Sequence, residues 1–173
     1  KKEKAKYYLC HPIKPLPLIK LHDKLFKPFL KEEEIQLAVE RIAEEIAEDY
    51  KDEVPIFVGV LNGAFMFISD LLKNYPHPCE VSFVKLASYR GLISTGIVET
   101  LLDLPENLKG RSVIIVEDII DTGRTLKELV HLFSKTNVKE FKIASLFFKK
   151  EIYKGEYSID YVGIEIPNKF IVG

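Results

Sequence analysis

Glu117, Asp118 and Asp121 stand close together in "VIIVEDIIDTGRTL" (Val113 to Leu126), followed at once by Thr122, Gly123, Arg124 and Thr125. Carboxylates of this kind accept hydrogen bonds from sugar hydroxyls or hold a metal ion. A glycine turn that opens a helix does the opposite. Its free backbone N–H groups bind an anion, and the absent Cβ lets the anion approach closely. The hydroxyls of Thr122 and Thr125 add two donors. A ligand that satisfies both halves carries a phosphate at one end and hydroxyls or a metal at the other, and a phosphorylated ribose does. The glycine-rich loop ending in Gly-Lys-Ser/Thr that marks a nucleoside triphosphate site is absent. Taken alone, the same residues also fit a strand end with an ordinary turn, or an acidic strand end that holds Mg2+ in an unrelated α/β fold.

Such a site needs a strand to aim the acids and a helix to present the amides. "SVIIVED" is the most apolar run in the chain, and "RTLKELVHLFSKT" places Leu126, Leu129, Val130 and Phe133 on one helical face. Upstream, "KEEEIQLAVERIAEEIAEDY" from Lys31 sets Ile35, Ala38, Val39, Ile42, Ala43 and Ile46 at helical spacing, with Glu32 to Glu34 in the first turn, where the helix dipole favours them. "PIFVGV", "CEVSFVKLAS", "GIVETLL", "FKIASLFF", "DYVGIEI" and "KFIV" read as further strands, and "LNGAFMFISDLLKN" as a turn then a helix. Pro12, Pro15, Pro17 and Pro28 keep the first thirty residues from forming one continuous helix. Strands alternating with helices, with continuously apolar central strands, predict a doubly wound α/β domain with a mainly parallel sheet. In such sheets ligands bind beyond the carboxyl ends of the strands.

The chain has 173 residues, 47% hydrophobic and 29% charged, with a net charge of −1. That is one globular domain with a sizeable core and no global basic field for nucleic acid or an anionic membrane. No apolar run approaches the roughly 20 residues of a membrane helix. Two cysteines far apart, Cys10 and Cys79, fit a reduced, cytoplasmic protein better than a disulfide. The chain has no initiating Met and stops at "KFIVG" without a polar tail, so both ends are expected to be trimmed.

"VIIVEDIIDTGRTL" resembles the phosphoribosyl diphosphate signature of the type I phosphoribosyltransferases, specifically the hypoxanthine–guanine (6-oxopurine) branch. "VGVLNGAFMF" is similar to that family's first loop, which binds pyrophosphate. "LASYRGLISTG" resembles its long flexible loop, with Ser88 and Tyr89, and "SLFFKK" and "VGIEIPNKFIVG" resemble its purine-binding strands. These five motifs stand in the family's order from about residue 55 to 173, while the first fifty residues resemble the family only in pattern.

The resemblance implies the type I phosphoribosyltransferase fold. It would have a core at about 31–149 and a small hood made from about 1–30 and 150–173. It implies transfer of the 5-phosphoribosyl group from phosphoribosyl diphosphate to hypoxanthine or guanine, with Mg2+, in a homodimer or homotetramer. Glu117 and Asp118 would bind the ribose 2- and 3-hydroxyls, and would meet Mg2+ only through those hydroxyls or water. Asp121 would be the general base beside purine N7. Thr122, Gly123, Arg124 (by its backbone) and Thr125 would hold the 5-phosphate. Leu61, Asn62 and Gly63 would bind pyrophosphate through backbone groups, across a cis Leu61–Asn62 peptide. Lys149 would reach the 6-oxo group, Phe170 would stack on the ring, Ile171 would add backbone contacts, and Lys169 would help secure the phosphate side. The loop that carries Ser88 and Tyr89 would close over the site and exclude water, and Gly91 and Gly96 would suit such a mobile lid.

Taken alone, Lys149 also reads as half of a solvated lysine pair, Phe170 as core, and Ser88 and Tyr89 as plain loop. Asn62 stands where some members carry Lys, which would remove a cationic hold on pyrophosphate. Past the position of Gly173 the family pattern continues with a metal-binding Asp and a pyrophosphate-binding Arg. Two rivals remain: a non-catalytic sensor of phosphoribosyl diphosphate that binds nucleic acid, and a Mg2+-binding signalling domain with a phospho-acceptor acid. The first lacks a basic face and leaves Asp121 and Lys149 without a task. The second leaves Thr122 to Thr125 unexplained.

Overall fold

The computed structural model describes residues 7–10, 18–86, 100–102 and 106–172. The elements are β1 (Tyr7–Cys10), β2 (Ile19–Leu21), β3 (Lys24–Leu30), α1 (Glu32–Asp49), β4 (Ile56–Val60), α2 (Phe65–Asn74), β5 (Glu80–Leu86), β6 (Thr100–Leu102), β7 (Ser112–Ile120), α3 (Arg124–Phe133), β8 (Glu140–Phe148), β9 (Tyr161–Glu165) and β10 (Ile171–Val172). The main sheet has the order β6-β5-β4-β7-β8-β9. Five of its strands are parallel, and β6 pairs antiparallel at one edge.

Helix α1 buries Ala38, Val39, Ile42, Ala43 and Ile46 of the stripe its spacing predicts, and Ala47 with them, while Ile35 in its first turn is half-buried. Its start is fixed by the Glu34 carboxylate, which accepts from the Lys31 backbone N–H at 2.9 Å. With α2, this helix covers one face of the sheet, where Phe57, Ile114 and Val116 point. Helix α3 covers the other face with Leu129 and Phe133, against Ile56, Val58, Val60, Val113 and Ile115. Successive residues of β4 and β7 thus enter different cores, as the period of two requires. At Gly59 a Cβ would lie 3.0 Å from both Ile68 Cδ1 and Phe83 Cδ1, so α2 and β5 pack directly onto bare backbone. Each fully buried Val, Ile or Phe contributes about 1.5–3 kcal/mol. An exposed ion pair such as Lys51–Glu48, screened by water and salt, adds little beside them. The two apolar layers hold this fold.

Strand β7 runs further than the apolar run in the sequence predicts. It passes the acids to Ile120, because Ile119 and Ile120 pair with Phe147 and Phe148 of β8. Its pairing with β4 ends earlier, at Val116 opposite Gly59. The segment from Glu117 to Ile120 therefore has a strand neighbour on one side only.

A second sheet, of order β10-β1-β3-β2, is built mostly from the proline-rich start of the chain. Strands β2 and β3 form a hairpin whose turn holds His22 at φ 53°. Of the stretch 150–173 expected in the hood, only Ile171–Val172 joins this sheet, beside Tyr8 and Leu9. Tyr161–Glu165 pairs with β8 in the main sheet. Tyr161 is buried there, and Gly163 lies where a Cβ would come 2.5 Å from the Leu146 carbonyl oxygen. Arg41 of α1 donates to the carbonyls of Val162 and Gly163, at 2.9 and 2.6 Å, and ties β9 to the helix layer. Ser88, Tyr89, Gly91 and Gly96 lie outside the described residues. Among the described residues no helix is long and apolar enough to cross a membrane.

Candidate active site

The one-sided end of β7 is where the acids gather. Glu117 is only 6% exposed, and its carboxyl is pushed up to about 8, first by burial and then by the charges of Asp118 and Asp121. Burial also raises Asp118, against the opposing pull of its own and Ile119's backbone N–H groups. Among the described residues no lysine or arginine pairs with either acid. Acids that merely ended a strand would sit in water. These are held out of it without a counter-charge, an arrangement suited to donors or a cation brought by a ligand.

Where β4 stops, the loop after it takes its place beside β7. The Leu61 N–H donates to Val84 O at 2.9 Å and the Ala64 N–H to Val60 O at 3.1 Å, which turns the chain sharply. The Leu61–Asn62 peptide is cis, as the resemblance implied. Gly63 is thereby laid against Asp118, and a Cβ on it would stand 2.5 Å from Asp118 Oδ1.

The burial of Glu117 makes a pH-dependent stability. Its folded-state pKa lies above the ordinary carboxyl value of 4.5, so the folded protein binds the proton more tightly than the unfolded chain does. Stability should therefore fall as pH rises from about 4.5 to about 8. Glu117→Gln should flatten that slope, recovering on the order of a few kcal/mol at pH 8, with Asp118 supplying what slope remains. Urea unfolding at pH 5 and pH 8 checks this, and equal slopes in the two proteins would sink it.

Beyond Ile120 the chain makes the turn. Asp121 is exposed, and its Oδ1 accepts from the Thr122 backbone N–H and, at 3.3 Å, from the Thr122 hydroxyl. Its Oδ2 has no hydrogen-bond partner among the described residues. Gly123 adopts φ 83°, a left-handed conformation that favours glycine, and α3 starts at Arg124 as its pattern predicts. Its carbonyl accepts the Lys127 N–H at 3.0 Å, and the amides ahead of that bond are the unpaired first-turn donors of the helix. Thr122, Arg124 and Thr125 are exposed around them.

Of the residues expected to hold the base, Lys149 and Ile171 are tied to this end of β7. Lys149 follows the last residue of β8, half-buried, and its N–H donates to Ile120 O at 2.9 Å, next to Asp121. Phe170 is 54% exposed, with Lys24 Nζ 5.2 Å from its ring centroid. Lys169 is exposed, and its N–H turns back to Pro167 O at 2.7 Å. Ile171 lines a cavity of about 410 Å³ with Gly63, Asp118 and Ile119, walled also by Glu32, Met66 and Asp70 of α1 and α2; Asp121, Lys149 and Phe170 do not line it.

One neighbour of the turn goes unseen in the sequence. Tyr153 lies in "KKEIYKGEYS", which has no period of either kind, yet its ring packs against Gly123.

Residues 27–173 match the phosphoribosyl transferase domain. A hypoxanthine-guanine phosphoribosyltransferase of Bacillus subtilis (strain 168) is 39% identical over 153 residues, which are 88% of this chain and 84% of that protein. In structure the chain is similar to a hypoxanthine-guanine phosphoribosyltransferase of Bacillus anthracis, with TM-score 0.73, 35% identity and 80% of each chain covered. It is also similar to the hypoxanthine phosphoribosyltransferase of Trypanosoma cruzi in complex with the product IMP, with TM-score 0.72 and 37% identity, over 79% of this chain and 78% of that one.

Proposed function

The chain belongs to the phosphoribosyl transferase family, and on that premise we propose that it serves purine salvage by transferring the 5-phosphoribosyl group from phosphoribosyl diphosphate to hypoxanthine or guanine. The products are the nucleoside 5-monophosphate, IMP or GMP, and pyrophosphate. One observation carries the reading: a buried acid and a half-buried one, without a counter-charge, stand beside the glycine turn that opens α3, with Gly63 of a second loop pressed onto Asp118.

The ribose hydroxyls would donate to Glu117 and Asp118, and the 5-phosphate would accept from the amides of Gly123, Arg124 and Thr125 and from the hydroxyls of Thr122 and Thr125. Leu61, Asn62 and Gly63 would face the diphosphate. Positive charge grows on the anomeric carbon as pyrophosphate leaves, so the reaction wants acids beneath the sugar and neutralised charge on the leaving group. Asp121, through Oδ2, would take the proton that the purine nitrogen loses. Lys149 would donate to a 6-oxo group, where the 6-amino group of adenine would present a donor to a donor. Phe170 would stack on the base, with Ile171 and Lys169 beside it.

Mg2+ is the metal we propose. Among the described residues no group of three or more His, Cys, Asp or Glu forms a metal cage. Two adjoining carboxylates fit a Mg2+ ion carried in on the diphosphate, which keeps its own oxygens and waters as ligands. When bound, it would neutralise charge on the leaving pyrophosphate.

We also propose a cytoplasmic homodimer or homotetramer. Cys79 is a free thiol, and Leu37, Phe65 and Met66 expose apolar surface on α1 and α2 that assembly would cover. Light scattering should give a multiple of 19.9 kDa, and a monomer at micromolar concentration would refute the assembly. Recovery of the tagged chain outside the cytosolic fraction would refute the location.

The test of function is pyrophosphate release from phosphoribosyl diphosphate and Mg2+ with hypoxanthine, guanine, xanthine or adenine. Release with hypoxanthine or guanine should exceed that with adenine by at least about 10²-fold in kcat/KM. No release with any base, or equal release with adenine, would overturn the reading.

A further inference from the structure

We propose that Tyr153 is a positioning residue that holds the phosphate-binding turn in fixed relation to Lys149; the inference rests on the transferase reading above. Tyr153 hangs from the turn that follows Lys149. Its backbone N–H and that of Ile152 both donate to the Lys149 carbonyl, at 3.2 and 3.1 Å. The Lys149 N–H donates in turn to Ile120 O, one residue before Asp121. From this anchor the ring reaches the phosphate turn, where a Cβ at Gly123 would lie 2.7 Å from Tyr153 Cε2.

The ring is itself fixed. Its hydroxyl donates to Tyr157 O at 2.6 Å, and it meets Phe148 edge-on with centroids 5.2 Å apart. Gly155 closes on it as well, since a Cβ there would fall 2.4 Å from Tyr153 Cζ. Packing holds the ring, through the aromatic edge of Phe148 and the bare backbone of Gly155, with the hydroxyl bond a lesser addition, and the ring backs Gly123.

That backing matters because Gly123 is the residue of the turn with the most backbone freedom. Its φ of 83° sets how the amides of the following residues present themselves. Anion cradles work by placement, and shifts well under an ångström are felt. Without the ring, the turn can relax away from the 5-phosphate. The phosphate is bound in both ground and transition states, so the loss should appear in KM rather than kcat. A residue that only fills core would lower stability and leave KM alone.

Three variants test this. Tyr153→Ala should raise KM for phosphoribosyl diphosphate roughly tenfold, with kcat within about threefold. Tyr153→Phe keeps the ring and its packing and should stay within about twofold of wild type in both constants. Gly155→Ala leaves Tyr153 in place chemically but must displace its ring, and should raise KM in the same direction. Calorimetric binding of phosphoribosyl diphosphate with Mg2+ gives the same comparison as Kd, whether or not the wild type turns over. Absent wild-type turnover would thus count against the functional reading alone. An unchanged KM and Kd in Tyr153→Ala, or a Tyr153→Phe variant as impaired as Tyr153→Ala, would overturn the proposal.

Discussion

Asp121→Asn is expected to lower kcat by roughly 10²- to 10³-fold while KM for phosphoribosyl diphosphate stays within about threefold. The amide is nearly isosteric, and its oxygen can still accept from the Thr122 N–H as Asp121 Oδ1 does. The turn, and with it the proposed 5-phosphate site, should therefore persist. What is lost is the carboxylate's capacity to take a proton at Oδ2. The observed task of this side chain, shaping the turn, and the proposed one, accepting a proton, are separated by the substitution because only the second needs a charge. Steady-state kinetics with hypoxanthine decide the matter. A kcat reduced less than about threefold would assign Asp121 to the turn alone.

Gly63→Ala should reduce kcat/KM about 10²-fold with only a modest loss of stability. The added Cβ would stand 2.5 Å from Asp118 Oδ1 and 2.6 Å from Cγ, closer than real contacts allow. Asp118 has a short side chain rooted in a paired strand, so it must swing from its place or push the loop away. Either movement separates Asp118 from the loop after β4, and with it the proposed ribose acid from the proposed pyrophosphate loop. Gly59→Ala offers the contrast. Its Cβ would meet the ends of Ile68 and Phe83 at 3.0 Å, inside the core and away from the acids. That variant should cost about 1–3 kcal/mol of stability and leave kcat/KM within about threefold. Thermal melting and kinetics on both variants check the pair, and equal kinetic losses would show that Gly63 has no special place.

Much of this was legible in the residues. The stripes of α1 and α3 are simple periodic patterns, and the structure buries them as written except for Ile35, which is half-buried at the start of α1. The acidic strand and the glycine turn could be read because opposite chemistries stood at adjacent positions. The extent of β7 could not. Glu117 and Asp118 look like a strand end because charge usually marks one, whereas pairing of Ile119 and Ile120 with β8 carries the strand on. The proline-rich start hid β1 to β3, since short strands on a small sheet leave little alternation to see. The same blindness misplaced β9, whose location depends on a partner strand and not on its own sequence. Tyr153 was invisible for a related reason. Its role comes from what lies across from it, Gly123, thirty residues back in the chain.

The two-faced burial of β4 and β7 carries a consequence for the information in this fold. When one face of a strand is wet, alternating polarity labels the residues that must point inward, and a slip by one position is penalised at once. Here both faces are apolar, so no such label exists: Ile56 and Phe57 are equally oily and enter different cores. The label has to be volume. Gly59 is the one residue of β4 with no side chain, and it lies where α2 and Phe83 crowd closest. Shifted by one, that notch would face α3, and Val58 or Val60 would meet Ile68 instead. The glycine thus acts as an alignment mark, written in size where hydrophobicity is silent. The acids depend on it, because the alignment of β4 decides where that strand ends and Gly63 meets Asp118.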